Sequence, residues 1–232
     1  MTDEASRARR FAEYLKLSRL RPDLFASPPG GVEVILDPAQ ISQVEEEIGA
    51  KLEARGLPRE QAEVGILVSD PWFMVIRDAV RFPDGSRRTH ARVVNHLGHG
   101  AAVLPVLDGR IVLVRHFRHA IRGWSIEVPR GGLEPGRTPE ETARTEIEEE
   151  IEGRVRSLVR LGFLHGANNT FSGGGHLFLA RLEAIGAGQL SEGIDTVLQI
   201  TVDQFEQRVL SGEIVDAFTV AAFAHARLRG FL

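Results

Sequence analysis

Cysteine is absent from this chain of 232 residues, and methionine, tryptophan and tyrosine are scarce. Without a thiol the protein forms no disulfide, has no cysteine nucleophile and offers no thiolate ligand to zinc. This absence is compatible with a reducing compartment, and we expect the protein to be cytoplasmic.

The chain also lacks an excess of basic residues and any long apolar run. Its formal net charge of −4 and its pI of about 6.1 argue against non-specific binding to nucleic acid. No stretch approaches the ~18 apolar residues of a membrane span, and the start, MTDEASRARRF, has no apolar signal-peptide core. We therefore expect neither nucleic acid nor a membrane as a partner. The length fits one large domain, or a domain with an extension.

What the chain does contain is a glycine-rich segment followed by an acidic one. Residues 130–153 have the sequence RGGLEPGRTPEETARTEIEEEIEG. The paired glycines Gly131 and Gly132, followed by Pro135 and Gly136, predict a tight loop.

Helix signals follow this loop directly. Thr138 is placed to cap a helix that starts at Pro139, and Glu141 completes a capping box. We expect the helix to run to about Ile151 and Gly153 to terminate it.

Three carboxylates share one face of this predicted helix. Glu146, Glu149 and Glu150 stand at positions i, i+3 and i+4, beside an apolar stripe of Ala143, Ile147 and Ile151. Like charges at this spacing repel each other, whereas converging oxygen ligands suit hard divalent cations, above all Mg²⁺. From the helix alone, a solvated acidic face is an equally good interpretation.

The remaining pattern predicts a helical N-terminal extension, residues 1–65, followed by a domain at residues 66–232. The extension has helices at about 4–20 and at Pro38–Arg55, the second capped by Asp37, and reads as scaffold or interface. The predicted strands are Trp72–Phe82, Arg87–Asn95, Ala101–Leu107, Ile111–Arg115, Trp124–Val128, Val155–Leu164, His176–Leu182 and Asp195–Val202. Two C-terminal helices are predicted at Val202–Leu210 and about Asp216–Arg229.

Residues 131–153 resemble the Nudix box, G-x5-E-x7-R-E-U-x-E-E-x-G-U with U aliphatic, the signature of the Nudix hydrolases. The shared fixed positions are Gly131, Glu146, Ile147, Glu149 and Glu150. The chain departs from the box at Arg137 (family Glu), Thr145 (family Arg), Glu152 (family Gly) and Gly153 (family aliphatic). The last two departures look like a one-residue slide of the terminating glycine.

The first two departures concern the residues that, in the family, help to hold the metal-binding helix and its loop in place. Our hypothesis is that Arg137 approaches the glutamates from the loop side and partly replaces the lost arginine.

The preceding strands are similar in order and spacing to those of ADP-ribose pyrophosphatase-type Nudix enzymes. The segments Val114–Arg118 and Glu127–Gly132 match "VRQYR" and "ELPAGG" of that subgroup. The resemblance implies that Arg118 contacts the substrate or its phosphates and that the backbone carbonyl of Arg130 is a metal ligand. Without the resemblance, Arg118 is as readily a surface charge after a strand.

The loop HGANNTFSGGG departs from the ADP-ribose-specific members, which carry a proline followed by a Ser-x-Glu-like element. Asn168 and Asn169 stand near the proline position and Gly173–Gly175 at the glutamate position. The two asparagines are candidates to hydrogen-bond a sugar or base, although loop asparagines also simply form turns.

Family members often take a general base from a later acidic loop just before a strand. The corresponding residue here is Glu192, in the loop Gly186–Gly193, with Asp195 as the second candidate. An exposed loop glutamate without a catalytic role is the alternative.

The resemblance implies an α+β fold, an α/β/α sandwich in which a mixed β-sheet lies between helices. It further implies Mg²⁺-dependent hydrolysis, with Mn²⁺ as a substitute, of the pyrophosphate bond in a nucleotide-type small molecule. A homodimer is expected, because related enzymes exchange N-terminal strands that correspond to Trp72–Asn95. The alternative is a catalytically impaired Nudix-fold module that binds nucleotides, which Arg137 and Thr145 would explain.

Overall fold

The structure, a computed structural model, describes residues 3–186 and 193–232. The chain divides into two compact units, each with its own sheet and hydrophobic core. The first unit comprises Met1–His96 and Asn169–Phe171, and the second comprises Leu97–Asn168 and Ser172–Leu232. In the described parts of the chain, no helix combines the length and the hydropathy needed to cross a membrane.

The first unit packs helices on a four-stranded antiparallel sheet. Its elements are α1 (Asp3–Leu20), β1 (Glu33–Ile35), α2 (Pro38–Glu53), β2 (Gly65–Ser69), β3 (Phe73–Arg81) and β4 (Arg87–Asn95). β3 pairs with β4 over its whole length, and its other edge pairs with β1 and β2. The unit thus joins the predicted extension, residues 1–65, to three strands. The domain boundary after residue 65 remains a prediction.

A buried polar contact ties α1 to this sheet. The hydroxyl of fully buried Tyr14 donates to Asp78 Oδ1 at 2.5 Å, and Arg92 Nε donates to Asp78 Oδ2 at 2.7 Å. Burial, and then the neighbouring carboxylate, raise the pKa of Tyr14, so that its hydroxyl remains the donor. Both oxygens of the buried carboxylate are therefore satisfied.

The second unit contains a seven-stranded mixed sheet. Its strands are β5 (Gly100–Leu107), β6 (Arg110–Arg118), β7 (Gly123–Glu127), β8 (Arg130–Gly132), β9 (Arg154–His165), β10 (Gly174–Ala184) and β11 (Ile194–Ile200). The main order is β11-β6-β5-β10-β9, with β7 paired to β6 and β8 to β5. β5 and β10 are parallel, and the other described pairs of this sheet are antiparallel.

Helices cover both faces of this sheet. α3 (Pro139–Ile151) packs on one face, around Val103, Val112 and Phe178. α4 (Val202–Leu210) and α5 (Ala217–Leu228) pack on the other face, around Leu104, Leu113 and Leu177. Alternate residues of the same strands supply the two cores, as the two-residue period of a strand requires. The predicted mixed sheet between helices is confirmed.

The predicted start of α3 is confirmed in detail. The helix begins at Pro139, the Thr138 side chain accepts from the backbone of Glu141, and the Glu141 side chain accepts from the backbone of Thr138. Hydrogen bonds to Thr138 hold the pKa of Glu141 below its ordinary value. The cap is therefore strongest when this carboxylate is charged.

The paired glycines do not form the loop that the sequence predicted. They belong to β8, in which Gly131 pairs with Ala101 and Gly132 pairs with Gly100. A Cβ atom on Gly100 would lie 2.5 Å from the carbonyl oxygen of Gly131. The glycines allow β5 and β8 to pair closely. The turn preferences of single residues do not reveal such a pairing.

The helix α3 ends at Ile151 as predicted, but the residue that terminates it differs from the prediction. The residue in the left-handed conformation is Glu152, with φ of 49°, and not Gly153. Gly153 is needed for space, because a Cβ atom there would lie 2.6 Å from Ile147 Cγ2. A glutamate thus occupies a backbone conformation that favours glycine.

Replacing Glu152 by glycine is expected to stabilise the protein by about 0.5–1 kcal/mol, because it removes the Cβ strain of the left-handed region. Chemical denaturation measures this difference. The matched control is Glu152→Ala, which removes the carboxylate but keeps the Cβ atom. Equal stabilisation by both variants would show that the charge, and not the backbone, is responsible.

Candidate active site

α3 lies so close to β8 that a carboxylate of the helix occupies the space beside a glycine. A Cβ atom on Gly131 would lie 2.0 Å from Glu146 Oε1, so any larger residue there would displace this carboxylate. On the same helix Ala143, Ile147 and Ile151 are fully buried, and they fix the rotation that turns Glu146 towards the strand. The glycine of β8 and the apolar stripe of α3 together position this carboxylate.

Glu150, one turn further along α3, is a buried carboxyl group, with 3% of its surface exposed. Burial, and then the neighbouring carboxylate of Glu146, raise its pKa to about 8. The guanidinium of Arg118 and a backbone hydrogen bond from Arg130 oppose this rise only in part. Among the described residues, Glu150 Oε2 has no hydrogen-bond partner. The positive charge near Glu150 is therefore too small to stabilise the ionised form of this carboxyl group.

The third predicted carboxylate, Glu149, is exposed to solvent. Within residues 3–186 and 193–232, no three His, Cys, Asp or Glu side chains form a ready-made metal-binding group. The chemistry of the donors nevertheless fits a hard divalent cation, because two carboxyl groups adjoin and one buried oxygen is unshared. The predicted ligand Arg130 also lies here, since its backbone bonds to Glu150.

A second buried carboxylate, Glu127 at the end of β7, gathers the basic side chains of the site. It forms ion pairs with Arg118 Nη2 and, at 3.2 Å, with Arg130 Nη2. His116 Nδ1 lies 3.5 Å from Glu127 Oε1. Arg118, the predicted substrate contact, is thus oriented by Glu127 while 30% of its side chain stays exposed.

Sequence reasoning missed both Glu127 and His116. The signal that was available for Glu127 is a charged residue ending an otherwise apolar strand. Its role depends on Arg118 and Arg130, which come from other strands.

The start of α5 is fastened to the same network. Asp216 caps the helix by accepting from the backbone and hydroxyl of Thr219, and its Oδ1 lies 3.1 Å from Arg130 Nη2. The Thr219 hydroxyl in turn accepts from the backbone N–H of Val128 at 3.0 Å. The Arg130 guanidinium also lies over the ring of Phe218, 5.2 Å from its centroid. α5 therefore fixes the side chain of Arg130, and through it Glu127.

The two unusual box residues contact each other. Arg137 Nη1 donates to Thr145 Oγ1 at 2.9 Å, and Arg137 Nε lies 3.0 Å from Glu134 Oε2. The loop before α3 is thereby joined to the helix turn that carries Glu146. The structure thus places Arg137 against the helix from the loop side, while its effect on the glutamates stays a prediction.

Three other predicted residues, Asn168, Asn169 and Asp195, do not join this cluster. Asn168 and Asn169 are exposed in the loop between β9 and β10, and the backbone carbonyl of Asn169 lies 3.4 Å from His90 Nε2 in the first unit. Asp195 pairs with Arg115 at 2.5 Å. Glu192 lies outside the described residues.

Comparison with known proteins identifies the class of this site. The model of the NUDIX domain family matches residues 96–218, more than half of the chain. The chain therefore belongs to the NUDIX domain family, and it is a Nudix hydrolase.

Three curated relatives are similar over most of their length. The ADP-ribose pyrophosphatase of Bacillus subtilis (strain 168) is 29% identical over 77% of this chain and 95% of its own. The GDP-mannose pyrophosphatase of Cronobacter sakazakii (strain ATCC BAA-894) is 30% identical over 64% and 84%. The methanol dehydrogenase activator of Bacillus methanolicus is 26% identical over 66% and 83%.

Among solved structures, an ADP compounds hydrolase matches with a TM-score of 0.63 and 20% identity, over 73% of this chain and 93% of that one. This likeness concerns the fold. It confirms the predicted Nudix fold, with helices at both ends of the chain.

The raised pKa of Glu150 predicts an unusual pH dependence of stability in metal-free protein. Between its ordinary value of 4.5 and about 8, folded Glu150 holds a proton that the unfolded chain has lost. The free energy of unfolding therefore falls as pH rises through this window. Glu150→Gln removes the titration, so its melting temperature in EDTA should fall less from about pH 5 to about pH 8.

The control for this comparison is Glu148→Gln, an exposed position on the same helix. It should follow the wild-type curve. Parallel curves for wild type and Glu150→Gln would contradict the assignment of a buried neutral carboxyl group.

Because Arg137 donates a hydrogen bond to Thr145, we expect Arg137→Ala to lower kcat/KM about two- to tenfold. This range corresponds to the free energy of one such hydrogen bond. The double variant Arg137→Glu with Thr145→Arg reverses the arrangement and should recover most of the loss, unlike Arg137→Glu alone. Steady-state kinetics test this. Unchanged metal affinity and activity in Arg137→Ala would refute the hypothesis that Arg137 partly replaces the lost arginine.

Proposed function

We propose that the protein hydrolyses the pyrophosphate bond of a nucleoside diphosphate linked to another group, of the ADP-ribose or nucleotide-sugar type. The proposed reaction depends on Mg²⁺, with Mn²⁺ as a substitute. Water attacks one phosphorus atom and the other phosphate leaves, so that two phosphate monoesters are formed.

The observation that carries this proposal is the pair of neighbouring carboxyl groups at β8. Glu146 rests on Gly131, and Glu150 is buried beside it with an unshared oxygen. Two carboxyl groups held together at a cost in electrostatic energy are typical of a site that receives a cation.

Glu146, Glu149, Glu150 and the backbone carbonyl of Arg130 are the proposed metal ligands. When bound, the divalent cation would polarise the phosphoryl oxygens and lower the pKa of a bound water. Glu150 has to release its proton for this, because a ligand carboxylate must be ionised.

Arg118 is the proposed partner of the substrate diphosphate. Its ion pair with Glu127 holds the side chain in one orientation, and its exposed part remains available to phosphate oxygens. Glu192 is the proposed general base. Asp195, the second candidate, is already ion-paired with Arg115.

The substrate class rests on the relatives, two of which are named for ADP-ribose and for GDP-mannose hydrolysis. Both compounds are nucleoside diphosphates linked to a sugar. Asn168 and Asn169 are proposed to bind the sugar or base. A homodimer and a cytoplasmic location are also part of the proposal, the first from the resemblance of the sequence and the second from the lack of cysteine.

The first experiment is hydrolysis of a panel of ADP-ribose, GDP-mannose, other nucleotide sugars, dinucleotides and nucleoside triphosphates with Mg²⁺. The variant Glu149→Gln with Glu150→Gln should lose at least about a hundredfold in kcat on the best substrate. Glu148→Gln on the same helix is the control and should retain full activity, because its side chain points to solvent.

The alternative, a nucleotide-binding module without turnover, is suggested by Arg137 and Thr145. It predicts that no compound is cleaved while one of them still raises the melting temperature. Equal activity of wild type and the double glutamine variant would instead refute the proposed metal site.

A further inference from the structure

The first unit contains a basic cavity that the proposed reaction does not use. It has a volume of about 680 Å³ and lies between the C-terminal half of α2 and the turn that joins β3 to β4. A volume of this order suits a small molecule. The charged lining residues are Glu47, Lys51, Arg55, Arg87 and Arg88.

The charges of this cavity are not balanced. Glu47 is the one carboxylate in its described lining, and it is already paired with Arg87. Within residues 3–186 and 193–232, no carboxylate lies within ion-pair distance of Lys51, Arg55 or Arg88. Lys51 and Arg55 therefore face the cavity without an ion-paired carboxylate among the described residues, and Arg88 interacts only at longer range with Asp84. These cations belong to a chain whose net charge is negative.

The local structure brings these cations to one cavity and restrains one of them, Arg88. Glu47 and Lys51 are spaced four residues apart on α2, so they lie on one face of the helix, and Arg55 follows just beyond its end. The guanidinium of Arg88 lies over the ring of Phe82, 5.1 Å from its centroid. Stacking of this kind restricts the side chain and prepares it to bind an anion.

The acidic residue of the adjoining turn is held mainly by its own turn, although it also interacts with Arg88. Asp84 Oδ1 accepts from the backbone N–H of Ser86 at 2.8 Å. Hydrogen bonds from the side chain and backbone of Ser86 hold the pKa of Asp84 below its ordinary value. This carboxylate is thus bound within its own turn.

We propose that this cavity binds a small anion that carries at least two phosphate charges. Arginine and lysine together offer forked and single donors to phosphate oxygens, and Ile48 and Leu52 supply an apolar wall for an attached organic group. The size of the cavity and the acidic net charge of the chain favour a small molecule over a nucleic acid.

The test is isothermal titration of the full chain with inorganic pyrophosphate in the presence of EDTA, which removes metal-dependent binding. Lys51→Gln with Arg88→Gln should weaken binding about tenfold or more. The matched control is Lys16→Gln with Arg110→Gln, which removes two exposed charges elsewhere and should leave the affinity within about twofold. Melting temperatures of all variants establish that they are folded.

The variant Arg118→Gln separates this cavity from the active site. It should keep its affinity for pyrophosphate in EDTA, while Lys51→Gln with Arg88→Gln should keep its hydrolytic activity. Three results would each overturn the proposal. One is loss of pyrophosphate binding in Arg118→Gln alone, and another is equal affinity of the wild type and the variant Lys51→Gln with Arg88→Gln. The third is no binding at millimolar pyrophosphate. The cations would then only stabilise the C-terminal end of α2 through the helix dipole. None of these results depends on whether the chain hydrolyses nucleotide sugars.

Discussion

The close approach of α3 to β8 is the constraint on which the active site depends. The helix can bring a carboxylate against the strand only because Gly131 has no side chain, and β8 can pair with β5 only because Gly100 has none. Three apolar residues of α3, buried in the core, keep the helix in that position. Packing energy from the core thus holds Glu146 and Glu150 together against their mutual repulsion.

A network of ion pairs surrounds Glu146 and Glu150. Glu127 is buried and collects Arg118 and Arg130, and Arg130 reaches on to the cap of α5 at Asp216. Such a network is worth more intact than its separate contacts suggest, because removing one member leaves a buried charge unpaired. The network places Arg118 at the site with part of its side chain exposed. The same network links elements that are almost ninety residues apart in the chain, Glu127 and Asp216.

Much of the fold was predictable because its signals are local. The capping box at Thr138, the apolar stripe of α3 and the alternating strands each depend on neighbouring residues. The predictions failed where a distant segment decides the conformation. Gly131 and Gly132 read as a loop, yet they form a strand because β5 offers an edge with a matching glycine. Glu152 is an exception, because its left-handed conformation and the close fit of Gly153 against Ile147 both arise within the end of α3 itself.

Residue types and their spacing were enough to predict the helix that carries Glu146, Glu149 and Glu150, the family to which the chain belongs, and the classes of chemistry that a cysteine-free chain excludes. These follow from residue type and spacing, which are properties of short segments. Tertiary structure alone decided that Glu150 is buried and Glu149 exposed, that Glu127 orients Arg118, and that Arg137 meets Thr145. Burial and pairing depend on which surfaces meet after folding, and the pKa of a carboxyl group is set by that environment.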